Sequence, residues 1–381
     1  MQKEKIKTYE LRHFDTSLLV FTATNTSDVP DIKTLWVNED KKHLLPLELE
    51  LSEEGVACYL KHRVIPKNRA NYHNLLTKCA LGLNRPMNII NVSKGLSLRD
   101  SYWIVEKGFN GLFADFNLYD NPLSQNVASI SFLGTGKEEN KEYISSAEFT
   151  TDGMLPKAWR RKKGKLFLYK GSNNLDFEPY SEFYAPQIAS VLGINAVSYG
   201  LSKWKGELCS TCELFTSKDI SFVSAGRLVK KGGFNAVCKF YKNLGPTFEK
   251  AFNDMIVFDA LICNTDRHYG NFGFLVDSKT NKIVAPSPLF DHGSSLFSYA
   301  NEEVFETCES LEKYINDNLF PIFYDNGFIE VAKNHLNCDM RERLEKLVGF
   351  SFNKHSHYNL SENRLCLIEQ QIQERIKKIL K

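Results

Sequence analysis

Asp266 and Asn271 lie five residues apart in the segment NTDRHYGN, and Asp291 follows in LFDHG. Moving a phosphoryl group from a nucleotide to a hydroxyl requires a carboxylate that orients the hydroxyl and accepts its proton. It also requires hard oxygen ligands that hold magnesium across the phosphates. Asp266 suits the first task, and the amide oxygen of Asn271 with the carboxylate of Asp291 suits the second. A lone Asp in a loop is ordinarily an Asx turn or a helix cap. Two carboxylates and an amide recurring after a helix and around a hairpin point to chemistry instead.

The elements that must position them can be read outward from the motif. TFEKAFNDMIVFDALICN carries Phe248, Phe252, Met255, Phe258, Leu261 and Ile262 at helical spacing, predicting a helix with one broad apolar face that delivers the chain to Asp266. FGFLV, the turn DSKTN and KIVAP predict a hairpin that returns the chain to Phe290 and Asp291. Asp291 is then expected at a strand end, with Gly293 taking the turn away from it.

Upstream, TTDGMLPK (150–157) reads as a polar loop, the basic RRKKGK as a turn and LFLYK as a strand ending at Lys170. Backbone amides around Gly153 are suited to cradle phosphate, and Lys157 and Lys170 would add charge. SEFYAPQIASVLG reads as a helix carrying Glu182, and WKGELCSTCELF as a hairpin turning at Lys205 and Gly206. A flexible loop, strand, helix and hairpin in that order describe a small nucleotide-clamping lobe.

The pattern N-x-D-x-H-x-x-N followed by F-D-x-G resembles the HipA-type serine/threonine kinases, bacterial relatives of the phosphoinositide kinases, over residues 140 to 381. The resemblance implies ATP and Mg2+ as cofactors, Asp266 as the catalytic residue, Asn271 and Asp291 as magnesium ligands, and His268 as a support of the site. TTDGMLPK is similar to that family's nucleotide-covering loop S-x-x-G-x-x-P-K, with Thr150 in place of the leading Ser, so Thr150, Thr151, Gly153 and Lys157 are expected at the nucleotide. Thr150, with Thr151 beside it, is the implied autophosphorylation site. Lys170 resembles the phosphate-contacting lysine, Glu182 its helix partner, and Glu213 and Phe215 in CELF the pair that meets adenine. The resemblance also implies a protein substrate with a Ser or Thr acceptor and an antitoxin partner protein, with nucleic acid involved only indirectly. DRH-x-x-N and D-x-G also occur in phosphoinositide kinases. Residues 293–312, however, hold five glutamates and no Lys or Arg, which would repel an anionic headgroup. A non-catalytic binding protein on the same fold is a third reading, against which the two metal-binding positions weigh.

With 381 residues, two domains, or a two-lobed catalytic domain plus an appendage, are expected. A net charge of +2 gives no support for an obligatory nucleic-acid or membrane partner. The charged N-terminus and the lack of a long apolar window lead to a cytoplasmic expectation. Nine scattered cysteines read as reduced core thiols, CSTC (Cys209 and Cys212) included. The expected fold is α+β: a two-lobed protein-kinase-like fold (HipA/PI-kinase-like) preceded by an N-terminal mixed α/β domain. The expected limits are 1–140 for that domain, of unassigned role, 141–225 for the nucleotide-clamping lobe and 226–381 for a mainly helical lobe. Within the first domain SLLVFTAT is expected as a strand, LSEEGVACYLKH and NRANYHNLLTKCALG as helices, and NIINV as a strand. The basic end QERIKKILK reads as a solvated helix terminus whose lysines suit the dipole.

Overall fold

The structure is a computed structural model that describes residues 6–24, 29–172, 177–322 and 326–381. The chain divides into two compact units: residues 1–170 with 214–223 and 275–284, and residues 171–213 with 224–274 and 285–381. The fold is α+β, as expected from the sequence.

The first unit opens with β1 (Lys7–His13), β2 (Thr16–Ala23) and β3 (Ile32–Val37), followed by helices α1 (Glu53–Lys61), α2 (Tyr72–Lys78) and α3 (Pro86–Ser93). β4 (Tyr102–Glu106) then pairs antiparallel with β1, giving the sheet order β3-β2-β1-β4. Alternation along β1 sends Tyr9 and Leu11, and the apolar run of β2 sends Leu18, Leu19 and Phe21, into a core with Val56 and Leu60 of α1, Leu75 and Leu76 of α2, and Ile89 and Ile90 of α3. NIINV is therefore helical and not a strand. Pro86 stands at the first helical position, where its fixed φ and missing N–H suit a helix start, and that signal outweighs the β preference of a short apolar run. The short α4 (Phe113–Phe116) and α5 (Gln125–Leu133) lead to the hairpin of β5 (Lys157–Lys162) and β6 (Lys165–Lys170). Most of RRKKGK is thus strand. Only Lys163 and Gly164 turn, both at positive φ, in the two-residue loop that matches strand twist.

The second unit begins with α6 (Glu178–Val191), β7 (Tyr199–Trp204) and β8 (Glu207–Glu213), the last two closed by Lys205 and Gly206 at positive φ as expected. Next come β9 (Ile220–Ser224), most of which belongs to the first unit, then α7 (Ala225–Leu228), α8 (Gly233–Leu244) and α9 (Pro246–Ile262) of the second, and β10 (Gly273–Asp277) and β11 (Lys282–Pro286), whose joined ends belong again to the first. The last two strands form the expected hairpin, and three strands make a small sheet in the order β11-β10-β9. Asp277 fixes its turn by accepting from the Thr280 amide at 2.7 Å and the Lys279 amide at 3.1 Å. α10 (Cys308–Asn318), α11 (Phe328–His335), α12 (Cys338–Glu345) and α13 (Glu362–Leu380) complete the unit.

α9 is the central element, packed against α8, α11 and α13. The expectation of one apolar face is too narrow, because every residue from Asp254 to Ile262 is buried. Two of these are acids, and each is matched: Asp254 by Arg343 at 2.6 Å and Lys250 at 2.8 Å, Asp259 by Arg267 at 2.9 Å. Cys209 and Cys212 are buried thiols on β8, and Cys209 donates to the Ser202 carbonyl at 3.3 Å. No helix among the described residues is long and apolar enough to cross a membrane.

Candidate active site

α9 ends where Cys263 takes a left-handed φ of 51°, and the next residues form a closed knot. Asn264, 1% exposed, donates its side-chain amide to Asp259 Oδ1 at 3.2 Å and accepts the Asp266 amide on Oδ1 at 3.1 Å. The chain then doubles back: the His268 amide donates to the Asp266 carbonyl at 2.8 Å and the Asn271 amide to the His268 carbonyl at 2.9 Å. Asn271 Nδ2 donates to the Asp266 carbonyl at 3.0 Å. With its NH2 so committed, the amide keeps Oδ1 as its acceptor. His268 is exposed, and its Nδ1 accepts the Gly270 amide at 3.0 Å. A Cβ at residue 270 would lie 2.6 Å from His268 Cε1, which is why glycine stands there.

Arg267 joins this turn to the segment of Asp291. The guanidinium, 2% exposed, holds Asp259 bidentately at 2.9 and 3.0 Å. Its Nη1 donates to the Asn271 carbonyl at 3.0 Å and the Phe290 carbonyl at 2.5 Å. Its Nη2 meets His292 Nδ1 at 3.1 Å. Arginine can only donate, so Nδ1 accepts and the His292 proton sits on Nε2. Burial works against the charge on Arg267, but Asp259 outweighs it and holds the guanidinium above its ordinary range.

Three consecutive residues around Asp291 are clamped. Beyond the Arg267 bond to Phe290, the Asp291 amide donates to Tyr199 Oη of β7 at 3.2 Å, and the His292 amide to Glu182 Oε2 of α6 at 2.9 Å. Asp291 itself takes a φ of 61°, so the positive-φ residue is the aspartate and not Gly293 as expected. A left-handed conformation is uncommon for any residue with a Cβ, though Asp tolerates it better than most, and the three flanking bonds sustain it. Nor does Asp291 end β11: an isolated parallel bridge between Ala196 and Leu289 is the last sheet contact before it. Burial first, then the charges of Glu182 and Asp291, push the Tyr199 phenol well above its usual range, so it remains a neutral hydroxyl.

In the first unit the 150–157 loop is folded down. Thr150, 2% exposed, donates to the Leu96 carbonyl at 2.8 Å, and Thr151 donates to the Ala147 carbonyl at 2.7 Å while accepting Trp159 Nε1 at 2.9 Å. Gly153 has a φ of 94°, and Lys157 Nζ occupies the place its Cβ would take while donating to the Asp152 carbonyl at 2.9 Å. Arg69 holds the ends of the loop through the carbonyls of Thr151 at 3.2 Å and Lys157 at 3.3 Å. Lys157 and Lys170 are direct cross-strand partners, 6% and 5% exposed, so both ammonium-bearing chains leave the same face of the hairpin. Glu213 ends β8 and is exposed, while the half-buried Phe215 lies edge-on to Phe222 at 5.7 Å.

Sequence reasoning assigned no role to Asp259, Arg267 or Tyr199, and did not foresee the bond from the His292 amide to Glu182. Arg267 lay inside the quoted motif. Its signal was a buried-type pairing with an acid eight residues earlier on a helix, visible only once α9 is seen to be buried all round.

No protein-family model matches the chain. Over 155 residues, 37% of this chain, it is 30% identical to the serine/threonine-protein kinase CtkA of Helicobacter pylori strain J99; the match spans 47% of that protein. The chain thus spans about half the length of the curated relative it matches. The HipA chain of a Shewanella oneidensis MR-1 toxin–antitoxin complex with HipB and operator DNA superposes with a TM-score of 0.52, over 98% of this chain and 97% of that one, at 12% identity. Over those 155 residues the chain is similar to a serine/threonine kinase, and its fold resembles that of HipA. A crystal structure of the H. pylori proinflammatory kinase CtkA also aligns, with a TM-score of 0.49 at 21% identity over 60% of this chain and 90% of that one.

Proposed function

We propose that the chain is an ATP- and Mg2+-dependent serine/threonine protein kinase. What supports this most is the Arg267 bracket, in which one buried guanidinium ties the turn bearing Asp266 and Asn271 to the residue preceding Asp291. In this proposal Asp266 orients a Ser or Thr hydroxyl and accepts its proton, and His268 supports the turn that carries it. Among the described residues no cluster of three or more His, Cys, Asp or Glu side chains could hold a metal. The remaining donor set, Asn271 Oδ1 and the Asp291 carboxylate, nevertheless fits magnesium, which takes few protein oxygens when phosphates supply the rest. Bound there, the ion would bridge the phosphates and offset the charge that develops on the transferred group. Lys157 and Lys170 would meet the nucleotide phosphates from one face of their hairpin, with Thr150, Thr151 and Gly153 in the loop above and Glu213 and Phe215 at the adenine. Residues 1–140 would form the N-terminal domain, 141–225 the nucleotide-clamping lobe and 226–381 the lobe carrying the catalytic turn.

Two finer proposals follow. Thr150 is an autophosphorylation site, and because its hydroxyl is buried and bonded to Leu96, modification requires the loop to leave that position. An antitoxin-like partner protein binds the chain, as HipB accompanies the HipA relative. Incubation with γ-labelled ATP tests the activity, with a protein extract in one arm and phosphoinositide vesicles in the other. The five glutamates of residues 293–312 favour label on Ser or Thr of protein. Label in lipid would establish a lipid kinase, and a nucleotide-dependent thermal shift without transfer in either arm would establish a non-catalytic binding fold.

A further inference from the structure

We infer that the helical end of the second unit carries a binding site for a small phosphate-bearing anion, separate from the residues of phosphoryl transfer. A cavity of about 350 Å3 is lined by Lys333 of α11 and by Arg375, Lys378 and Lys381 at the end of α13. Against these four cations the lining holds the carboxylate of Glu312, which pairs with Lys378 at 2.8 Å, and the backbone carboxylate of Lys381, so the lining remains net positive. Like charges gathered around one hollow repel each other, and an anion relieves that repulsion.

Arg375 is what makes the hollow a built site. It is 6% exposed; Nε donates to the Ala260 carbonyl of α9 at 2.6 Å, and Nη2 is buried with no hydrogen-bond partner. A buried cation short of one hydrogen bond is unfavourable, and an anion in the adjoining hollow offsets its charge across a short, poorly solvated distance. Ile315 and Ile329 add apolar wall, so the volume admits a phosphate ester with a small organic body as well as an inorganic phosphate. A nucleic-acid duplex would meet the exposed lysines but not a guanidinium that is 6% exposed within a cavity.

Isothermal titration of the full chain at constant ionic strength, with inorganic phosphate, pyrophosphate and glucose 6-phosphate in turn, tests the site. Saturable binding of at least one probe is expected, weakened about tenfold or more in the Lys333→Gln/Lys378→Gln double variant, whose side chains are exposed in the wild type. Binding of the inorganic probes alone would identify an inorganic source, and binding of glucose 6-phosphate an ester. No saturable binding, affinity unchanged in the double variant, or lysine-dependent binding of a duplex oligonucleotide with none of the small anions would overturn the inference.

Discussion

Replacing Arg267 with methionine is expected to cost the protein a large part of its stability, because the guanidinium bonds both halves of the candidate site. Five contacts converge on it: two to Asp259 at 2.9 and 3.0 Å, two to the carbonyls of Asn271 and Phe290, and one to His292 Nδ1. Its loss leaves Asp259 5% exposed with the Asn264 amide at 3.2 Å. Removing one partner of a buried ion pair costs about 3–5 kcal/mol, a large share of the roughly 5–15 kcal/mol that holds a domain folded. Replacing both charges with apolar groups removes the uncompensated carboxylate, so the Arg267→Met/Asp259→Leu double variant is expected to recover about 2 kcal/mol relative to Arg267→Met. Equilibrium urea unfolding followed by circular dichroism measures both differences. A loss below about 1 kcal/mol in Arg267→Met, or strict additivity in the double variant, would refute the reasoning.

His13, buried in β1 and stacked on Tyr102 at 4.6 Å, has its pKa lowered to about 4 by burial. The unfolded chain therefore takes up the proton first: His13's contribution is intact above about pH 6.5 and falls by about 2 kcal/mol by pH 5, a slope that His13→Gln should remove from the stability profile. Gly270→Ala should cost about 1 kcal/mol as the His268 ring swings off the Gly270 amide, and adding His268→Ala should make the glycine substitution nearly neutral in a thermal-melt cycle. Arg364 lies between the rings of Phe177 and Phe305, at 3.8 and 4.0 Å, and donates to the Phe297 and Ala300 carbonyls at 2.9 and 3.1 Å. Arg364→Leu should cost about 3 kcal/mol by denaturant titration, since it strips the Phe297 and Ala300 carbonyls of a charged donor where Leu296 and Phe297 already hold positive φ. An unchanged midpoint would show that the segment after Asp291 is held by other means.

Much of the fold was legible because local signals agreed with their surroundings. Lys205-Gly206 closes the β7–β8 hairpin, and the apolar run LLVF within SLLVFTAT, buried on both faces, makes β2. NIINV failed because five residues are too few to separate a buried helix from a strand, and the decisive residue, Pro86, lay just outside the run. Asp266, Asn271 and Asp291 could be picked out because their separation in sequence survives folding as a turn and a hairpin. Arg267, Asp259, Tyr199 and the bond between Glu182 and the His292 amide could not. Their roles depend on α6, β7 and α9 converging on one backbone segment, and no spacing along the chain encodes that convergence.

The most direct test of the proposed chemistry compares the intact chain with Asp266→Asn, which preserves the size of the side chain and removes its charge. With γ-labelled ATP and a protein acceptor, transfer should fall by about 10³-fold, as the loss of a positioned base predicts, while magnesium-dependent ATP affinity measured by titration stays essentially unchanged. Transfer at the wild-type rate in that variant would contradict the assignment of Asp266 and the phosphoryl-transfer centre built around it.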